Sequence, residues 1–297
     1  MARRRRGRKG KHSILITVIV IILIALGAGI EKTGVGDVNP YSSKDAYVHF
    51  IDVGQGSSAL IQVGSKGILI DAGETDYGDY VVEYLNSCGI EELEYVIASH
   101  PHSDHIGGMC DVLDSFTVGE FIMPLLTEIN IPTTRVYENM LNSLFDKDIT
   151  ISVAEVGAKY EIEGASLEIF GPVEQTIDLN DMSVICKVNV NGTEFMFLGD
   201  AEKPELSSVY NSVALDFEAD VIAMGHHGSS TSIHKKFLNA VDADVAVISC
   251  GKDNSYGHPN EEALEYIDQA GMTLYRTDYE GDIVFKCTEG GYERIEN

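Results

Sequence analysis

The distribution of hydrophobic residues divides the chain into one long apolar segment and many short ones. Residues 13–30 form a stretch of 18 residues without a charge, whereas from Ala46 onward short apolar runs alternate with glycine-containing turns. Short apolar runs between turns are typical of strands, and those in residues 46–73 predict an antiparallel meander. The pattern therefore predicts an N-terminal segment of membrane type followed by a domain rich in strands.

Strands and helices alternate along the rest of this domain. The apolar periodicity predicts helices around Asp79–Cys88 and Thr134–Phe145, a short helix at 107–116, and a buried strand at 93–99. Asn191-Gly192 lies between two predicted strands and is a strong hairpin signal. After it, strands and helices alternate to about residue 277. Two halves of this kind predict an α/β sandwich of paired β-sheets with helices on both outer faces.

The N-terminal region has the features of a membrane anchor. Residues 1–12 are strongly basic, residues 13–30 are uncharged, and Glu31 follows them. A helix of 18 residues is roughly 27 Å long, which just spans a bilayer. The basic residues place the N-terminus in the cytoplasm, so we expect a single-pass protein of the cell membrane with its domain outside. A cleaved signal peptide, giving a secreted protein, is the alternative, because Ala25–Gly29 offers small residues.

The predicted domain boundaries follow from this pattern. Residues 31–45 are expected to form a linker, and residues 46–297 the folded domain. Outside the first eleven positions, 14 basic residues stand against 47 acidic ones, a net charge of −33. Such a body repels a polyanion except where bound metal ions reverse the local sign. The five cysteines show no C-x-x-C spacing, which excludes a zinc knuckle, and we expect them to be buried apolar side chains.

The segment Ser99–His105, with the sequence SHPHSDH, contains three histidines and an aspartate directly after a predicted buried strand. Imidazole and carboxylate groups at this density are typical metal ligands. In an extended loop His100 and His102 point the same way, because side chains alternate with a period of two. Asp104 and His105 follow where the chain turns into a helix and can face a second ion. The segment therefore predicts a site for two metal ions.

This pattern, H-x-H-x-D-H after a strand, resembles the signature of the metallo-β-lactamase superfamily. The resemblance implies a four-layer αββα fold. It also implies that Asp71, in ILIDAG, supports the metal loop and that Asp200, in FLGD, bridges the two ions. The last ligand is then His227 or His226, in GHHGS.

Further motifs are similar to the extracellular domain of ComEC-type competence proteins. They are FIDVGQG, SHPHSDHIGG, FLGD, GHHGS, NSYGHP and TDYEGDI, within about residues 46–286. This resemblance implies hydrolysis of phosphodiester bonds in DNA. It does not imply transport, because the chain has one hydrophobic segment and no room for a channel.

One departure from the superfamily concerns the first metal ion. Many members have a further histidine before the bridging aspartate, but no histidine lies between His105 and His226 here. The predicted ligands of the first ion are His100, His102 and Asp200, and those of the second are Asp104, His105, Asp200 and His227. Asp181, or water, would complete the first set. An oxygen-rich set of this kind suits Mn²⁺ as well as Zn²⁺.

Metal ions would also supply the chemistry. Two divalent cations can lower the pKa of a shared water, so the expected nucleophile is a hydroxide activated by both ions and oriented by Asp104. Adjacent residues at an extended strand end point in opposite directions, so one histidine of the pair ligates. We expect this to be His227, with His226 contacting the phosphate, although the reverse assignment remains open. His258 is a candidate donor to the leaving group, or alternatively a cap of the helix that follows.

Several functions are compatible with these residues. The leading hypothesis is a metal-dependent phosphodiester hydrolase with DNA as substrate. A cell-wall phosphodiesterase acting on phosphocholine or teichoic-acid esters is the alternative, and it suits the acidic body better because nucleic-acid enzymes normally present basic surfaces. A β-lactamase or thioester hydrolase is less favoured. A catalytically inactive, metal-bound binding module at the membrane is an alternative of another class. The sequence indicates no stable protein partner.

Overall fold

Two β-sheets form the centre of residues 45–296, which are the residues that the computed structural model describes. The strands of the first sheet are β1 (Ala46–Phe50), β2 (Ala59–Val63), β3 (Lys66–Ile70), β4 (Glu92–Ile97), β5 (Thr117–Met123), β6 (Thr150–Val153), β14 (Ile283–Thr288) and β15 (Gly291–Ile295). Those of the second are β7 (Lys159–Ile162), β8 (Ala165–Gly171), β9 (Ile185–Val190), β10 (Thr193–Phe197), β11 (Val221–Ala223), β12 (Val245–Ile248) and β13 (Thr273–Arg276). The α-helices are α1 (Gly78–Ser87), α2 (Ser103–Ile106), α3 (Met109–Ser115), α4 (Arg135–Asp146), α5 (Lys203–Ser212), α6 (Lys235–Val241), α7 (Glu261–Ala270) and α8 (Thr277–Glu280).

Each sheet has an antiparallel part and a parallel part. The strand order is β15-β14-β1-β2-β3-β4-β5-β6 in the first sheet and β13-β12-β11-β10-β9-β8-β7 in the second. Strands β3 to β6 run parallel to one another, as do β10 to β13. The chain reaches the next strand of each parallel part through helices or long loops, as parallel pairing requires. The carboxyl ends of neighbouring parallel strands therefore lie at the same edge of their sheet.

Apolar side chains fill three layers between the elements. Val48, Ile61 and Phe50 of the first sheet meet Leu167 and Phe195 of the second in the central layer. The outer face of the first sheet packs against α1, α3 and α4, and that of the second against α5, α6 and α7. Strands of both sheets carry apolar residues on both faces for this reason. The predicted α/β sandwich with helices on both outer faces is confirmed.

Most predicted elements are present, but several short ones were not predicted. The meander at 46–73 is β1 to β3, and Asn191-Gly192 joins β9 to β10 in an antiparallel hairpin. Strands β6 and β7 have no strong pattern because most of their residues are exposed or half-buried. Helix α5, with the sequence KPELSSVYNS, contains serines and an asparagine that have low helix propensity. All five cysteines are free, and four of them are buried.

The predicted N-terminal basic segment, the membrane segment Ser13–Ile30 and nearly all of the linker lie outside the described residues. Within residues 45–296, no helix combines the length and the hydropathy that crossing a membrane requires.

Candidate metal centre

The loops that follow four strands of the two sheets converge on one site. Asp71 follows β3 and His100 follows β4 in the first sheet, whereas Asp200 follows β10 and His227 follows β11 in the second. This arrangement agrees with the rule that sites of α/β proteins form at the carboxyl ends of parallel strands. The sequence placed these residues far apart, and the packing of the two sheets brings them together.

Four side chains form a compact group of potential metal ligands at this point. One ligand atom from each of Asp104, His105, Asp200 and His227 lies within 4.8 Å of all the others. His227 Nε2 is 3.2 Å from Asp104 Oδ2 and 3.7 Å from Asp200 Oδ2, and His105 Nε2 is 3.2 Å from Asp200 Oδ1. These four residues are the set that the sequence assigned to the second ion.

Asp71 fixes the orientation of His105. Its Oδ2 accepts hydrogen bonds of 2.7 Å from His105 Nδ1 and Ser99 Oγ, and its Oδ1 accepts one of 2.7 Å from the Ser99 amide. His105 Nε2 is thereby left free to face the other ligands. The Ser249 carbonyl, 2.9 Å from His227 Nδ1, does the same for His227. Such hydrogen bonds select the tautomer whose other nitrogen binds a metal.

The chemistry of the group fits a divalent cation. His105 Nε2 and Asp200 Oδ1 are buried, and although they are 3.2 Å apart, neither forms a hydrogen bond with the other or with any other described residue. Buried polar atoms without a partner are rare because they lose the hydrogen bonds of water. A cation among these atoms would compensate both, and imidazole with carboxylate is a common ligand set for Zn²⁺ and Mn²⁺.

The pKa shifts at this site also point to a demand for positive charge. Burial disfavours charge on Asp200, but the His105 and His227 imidazoles outweigh burial and hold the Asp200 pKa well below its ordinary value. Burial likewise opposes a charge on His105, yet the Asp200 and Asp71 carboxylates raise its pKa well above the ordinary value. The pKa of His227 rises for a similar reason, with Asp200 and Asp104 outweighing burial. The shifts show that buried carboxylates and imidazoles face one another here, and a bound cation would neutralise the carboxylates.

His100 and His102 form a second, smaller set of donor atoms beside the first. His100 Nε2 is 2.9 Å from His102 Nδ1 and 3.8 Å from Asp200 Oδ2. His100 is fully buried, and burial together with the neighbouring His105 lowers its pKa well below the ordinary value. A neutral imidazole is the form that ligates a metal. Asp200 therefore lies between the two sets, as expected of a bridging carboxylate.

Asp181 contacts the start of α5 and does not face the group of candidate metal ligands, as a ligand would. Its Oδ1 accepts a hydrogen bond of 2.9 Å from the Glu202 amide at the start of α5. Burial raises its pKa. It is not part of the group of four. The structure thus places Asp181 as a cap on the first turn of α5. Its neighbour Asn180 lines the cleft that opens onto the centre.

The paired histidines have different surroundings, but not for the predicted reason. The prediction assumed an extended strand end, which is wrong: both residues have left-handed backbone conformations, with φ of 51° at His226 and 54° at His227. Two successive left-handed residues other than glycine are uncommon and costly. The turn buries His227 against the other ligands and leaves His226 partly exposed, with Nδ1 3.2 Å from Glu202 Oε1 and Nε2 3.7 Å from Asp200 Oδ2.

His258 lies next to the paired histidines. The centre of its ring is 5.3 Å from that of His226 and 6.4 Å from that of His227. Burial, and then the charges of those two histidines, lower its pKa. The alternative role as a helix cap does not agree with the structure, because Asn260 is the residue before the first turn of α7.

A cleft of about 390 Å³ gives access to this centre. Its lining residues are Gln55, Pro101, His102, Ser103, Asp104, Pro132, Thr134, Leu179, Asn180, Asp200, His226, His227, Tyr256 and His258. Sequence reasoning identified the titratable residues of the cleft but missed Tyr256, which is next but one to His258 in the YGHP motif. It also missed Glu202 and the Ser249 carbonyl, because a backbone group and a remote glutamate carry no recognisable pattern.

The fold and this group of ligand residues are typical of the metallo-β-lactamase superfamily, and the chain belongs to it. The model of that superfamily matches residues 51–252. Among solved structures, the metallo-β-lactamase fold protein YhfI of Bacillus subtilis has a TM-score of 0.54 at 12% identity, and covers 82% of this chain and 100% of its own. CmlA, a diiron β-hydroxylase from Streptomyces venezuelae, has a TM-score of 0.54 at 11% identity over 86% of this chain and 55% of its own. At these identities the likeness shows the fold alone.

Within the superfamily, the chain is similar to competence proteins. ComE operon protein 3 of Bacillus subtilis (strain 168) is 25% identical in an alignment 308 residues long that covers 92% of this chain and 39% of that protein. Competence protein ComA of Neisseria gonorrhoeae is 29% identical over 249 residues, 83% of this chain and 33% of that protein. The chain thus spans about two fifths or less of the length of these relatives. The resemblance to ComEC-type proteins is confirmed.

Proposed function

We propose that this protein is a metal-dependent phosphodiester hydrolase that cleaves DNA. The observation that carries the proposal is the geometry of Asp200, whose Oδ2 lies 3.7 Å from His227 Nε2 and 3.8 Å from His100 Nε2. One carboxylate thus faces two sets of donor atoms at the floor of an open cleft. The names of the relatives support DNA as the substrate, since they are competence proteins.

The residues present would hold two ions. Asp104, His105, Asp200 and His227 would hold one, and His100, His102 and Asp200 the other. When bound, two divalent ions supply an activated water at neutral pH and neutralise a phosphoryl oxygen. Asp71 and the Ser249 carbonyl keep the imidazoles of His105 and His227 oriented for this task. Asp104, which is partly exposed to the cleft, can accept a hydrogen bond from the attacking water.

His226 and His258 would act on the substrate. His226 is partly exposed, and its Nδ1 lies within hydrogen-bond distance of Thr231 Oγ1, 3.3 Å away, with the Glu202 carboxylate 3.2 Å from the same atom. These contacts fix the ring with Nε2 towards the centre, where an N–H group would donate to a phosphate oxygen. His258 lines the same cleft from the other side of His226 and would donate to the leaving oxygen. Neither role requires a nucleophilic side chain.

A second candidate is hydrolysis of a small phosphodiester, such as a cell-wall phosphocholine or teichoic-acid ester. The observation that favours it is the cleft lining, which contains no lysine or arginine among the described residues. Polymeric nucleic acids are normally bound through such side chains. The metal chemistry would be the same for both candidates, so only the substrate distinguishes them.

We also propose that Ser13–Ile30 anchors the protein in the cell membrane with residues 46–297 outside. The basic N-terminus and the uncharged segment support this orientation. Protease added to intact cells would then degrade the domain while the N-terminus stays protected. Recovery of the domain from the culture medium would instead support a cleaved signal peptide.

The test of the proposed function uses the full chain in detergent, loaded with Mn²⁺ or Zn²⁺ and analysed for bound metal. DNA, a bis-aryl phosphodiester, a phosphocholine ester and a β-lactam are assayed side by side. We expect hydrolysis of DNA that Asp104→Asn reduces by about 10³-fold, since Asp104 both ligates and orients. The matched control is Asp268→Asn, an exposed aspartate on α7, which should retain full activity. Full metal occupancy without hydrolysis of any substrate would overturn the proposal and favour a binding module.

A further inference from the structure

We propose that the cleft selects single-stranded nucleic acid, with the Tyr256 ring stacking on an unpaired base next to the cleaved phosphate. This inference rests on the proposed phosphodiesterase function and specifies the substrate. It assigns a role to Tyr256 and to two cationic side chains, Arg135 and Lys252, none of which belongs to the metal centre.

Tyr256 is highly exposed to solvent and also lines the cleft that leads to the metal centre. Its side chain lines the cleft, yet 69% of the residue is exposed to solvent. Its ring stacks on that of His258, with 5.8 Å between the ring centres and 26° between the planes. At this distance the rings overlap little, so most of the phenol surface is available to a ligand. Among the residues that line the cleft, it is the only tyrosine, phenylalanine or tryptophan.

The loop that carries Tyr256 is held by hydrogen bonds. Asn254 Oδ1 accepts from the Tyr256 amide at 3.2 Å and from the His258 amide at 3.0 Å, and Asn254 Nδ2 donates to the Gly251 carbonyl at 2.9 Å. The Gly251 amide in turn donates to Gln55 Oε1, 3.0 Å away in the loop between β1 and β2 of the first sheet. A loop held in place before binding loses little conformational entropy when a ligand stacks on its tyrosine. This is the property expected of a stacking platform.

The free positive charges of the domain include two beside the cleft. Most lysine and arginine side chains in residues 45–296 form ion pairs with carboxylates. The exceptions are Arg135, Lys235, Lys236 and Lys252. Arg135 is the first residue of α4 and follows Thr134, which lines the cleft. Lys252 follows Gly251 in the loop of Tyr256. Both are exposed and suited to phosphates that flank the cleaved one.

These features separate a nucleic-acid strand from the other candidates. A quaternary ammonium group such as choline is normally held by a cage of several aromatic rings, whereas this cleft has one, and Arg135 and Lys252 would repel a cation. A base in a duplex is already stacked and paired, and exposing it costs a few kcal/mol. With so few unpaired cations, the acidic domain also lacks the multiple phosphate contacts that bind a duplex. A single strand offers an unpaired base to the Tyr256 ring and phosphate groups to Arg135 and Lys252.

The test compares two single strands of equal length and charge, one with bases and one with abasic sugars. The metal-loaded full chain should cleave the strand with bases at a higher kcat/KM than the abasic strand. It should also cleave that strand faster than the matching blunt duplex. Because stacking on one aromatic ring contributes about 5- to 150-fold in binding, Tyr256→Ala should lower kcat/KM for the base-bearing strand by that factor. Tyr256→Phe, which retains the ring, should restore it.

A purely structural role would give a different pattern. If Tyr256 only supports His258, Tyr256→Ala would lower kcat/KM equally for both strands, which would overturn the inference. Tyr279→Ala is the matched control, since Tyr279 is 73% exposed and lies outside the cleft, and it should leave both substrates unchanged. Equal cleavage of base-bearing and abasic strands by the unmodified chain would overturn this inference alone. Cleavage of no phosphodiester at all would overturn the proposed function with it.

Discussion

Replacing Asp71 by asparagine tests whether the hydrogen bonds of Asp71 orient His105 for metal binding. Asp71 accepts three hydrogen bonds of 2.7 Å, from His105 Nδ1, Ser99 Oγ and the Ser99 amide. Asparagine has the same shape but presents an amide group, with donors, on one side. It also tolerates the left-handed backbone of Asp71, where φ is 61°. The substitution therefore removes one acceptor at His105 without forcing the loop to move.

The expected magnitude follows from the role of such partners. Loss of the carboxylate that orients a metal-binding histidine typically weakens metal affinity or activity 10- to 100-fold. This corresponds to about 1.4–2.7 kcal/mol of metal-binding free energy. The lost hydrogen bond is buried and charge-assisted, which places the expected effect towards the upper end. Both the Kd for metal and kcat/KM should change, because His105 no longer holds the tautomer that ligates.

The assay is competition between the full chain and a fluorescent chelator for Mn²⁺ and Zn²⁺, with circular dichroism to verify folding. The matched control is Asp242→Asn, because Asp242 is also left-handed, with φ of 50°, and ends α6 away from the site. We expect Asp242→Asn to bind metal like the unmodified chain. A folded Asp71→Asn protein with unchanged metal affinity would refute the assignment of His105 as a ligand oriented by Asp71.

Three further predictions concern metal count, salt and pH. His102→Ala should reduce bound metal from two ions to one, because the group of four that includes Asp104 stays complete; retention of two ions would contradict the second donor set. The double substitution Arg135→Gln with Lys252→Gln removes both cationic side chains beside the cleft. For single strands, it should make the plot of log kcat/KM against log salt concentration less steep, by about 0.7 per phosphate contact. Lys66→Gln, which removes a charge already paired with Glu92 and Glu94, should not change the slope of this plot, and equal slopes in all three proteins would argue against the phosphate contacts of Arg135 and Lys252. Burial lowers the pKa of His49 from 6.5 to about 3, so the folded state resists a proton that the unfolded chain accepts. The stability that depends on neutral His49 is therefore complete above pH 6.5 and is lost as the pH falls towards 3, by at most about 1.4 kcal/mol per pH unit. Denaturant titrations across that range should show a shallower decline for His49→Gln, and parallel curves would count against this role of His49.

Local sequence was sufficient to predict the sheets and to locate the cluster of candidate metal ligands. Six residues, His100 to His105, contain four titratable side chains, and a strand ending at Ile97 places them at a sheet edge. Short buried strands and the Asn191-Gly192 turn have strong local patterns. These patterns were enough to predict two sheets with helices on their outer faces. Asp200 and His227 were identified through family motifs, because nothing local distinguishes an aspartate after a strand as a ligand.

Features that depend on contacts across the fold were not predicted. The left-handed conformations of His226 and His227 depend on hydrogen bonds such as that from the His226 amide to the Gly199 carbonyl, 3.0 Å long, which joins two loops. The capping of α5 by Asp181 depends on packing between residues 21 positions apart. Tyr256 was overlooked because an exposed tyrosine in a polar loop is an ordinary pattern. Its significance depends on the neighbouring cleft, which only the assembled sheets create.

The division of the ligands between the two sheets has a consequence for when activity arises during biosynthesis. Asp104 and His105 lie in α2, which follows β4 of the first sheet, whereas Asp200 and His227 follow β10 and β11 of the second. A nascent chain that has emerged only to β9 has neither Asp200 nor His227, so it cannot complete either donor set. The proposed activity therefore cannot arise before His227 has been synthesised. Strands β14 and β15 of the first sheet follow His227 in the chain, so the metal centre is completed late in folding, when the two sheets dock.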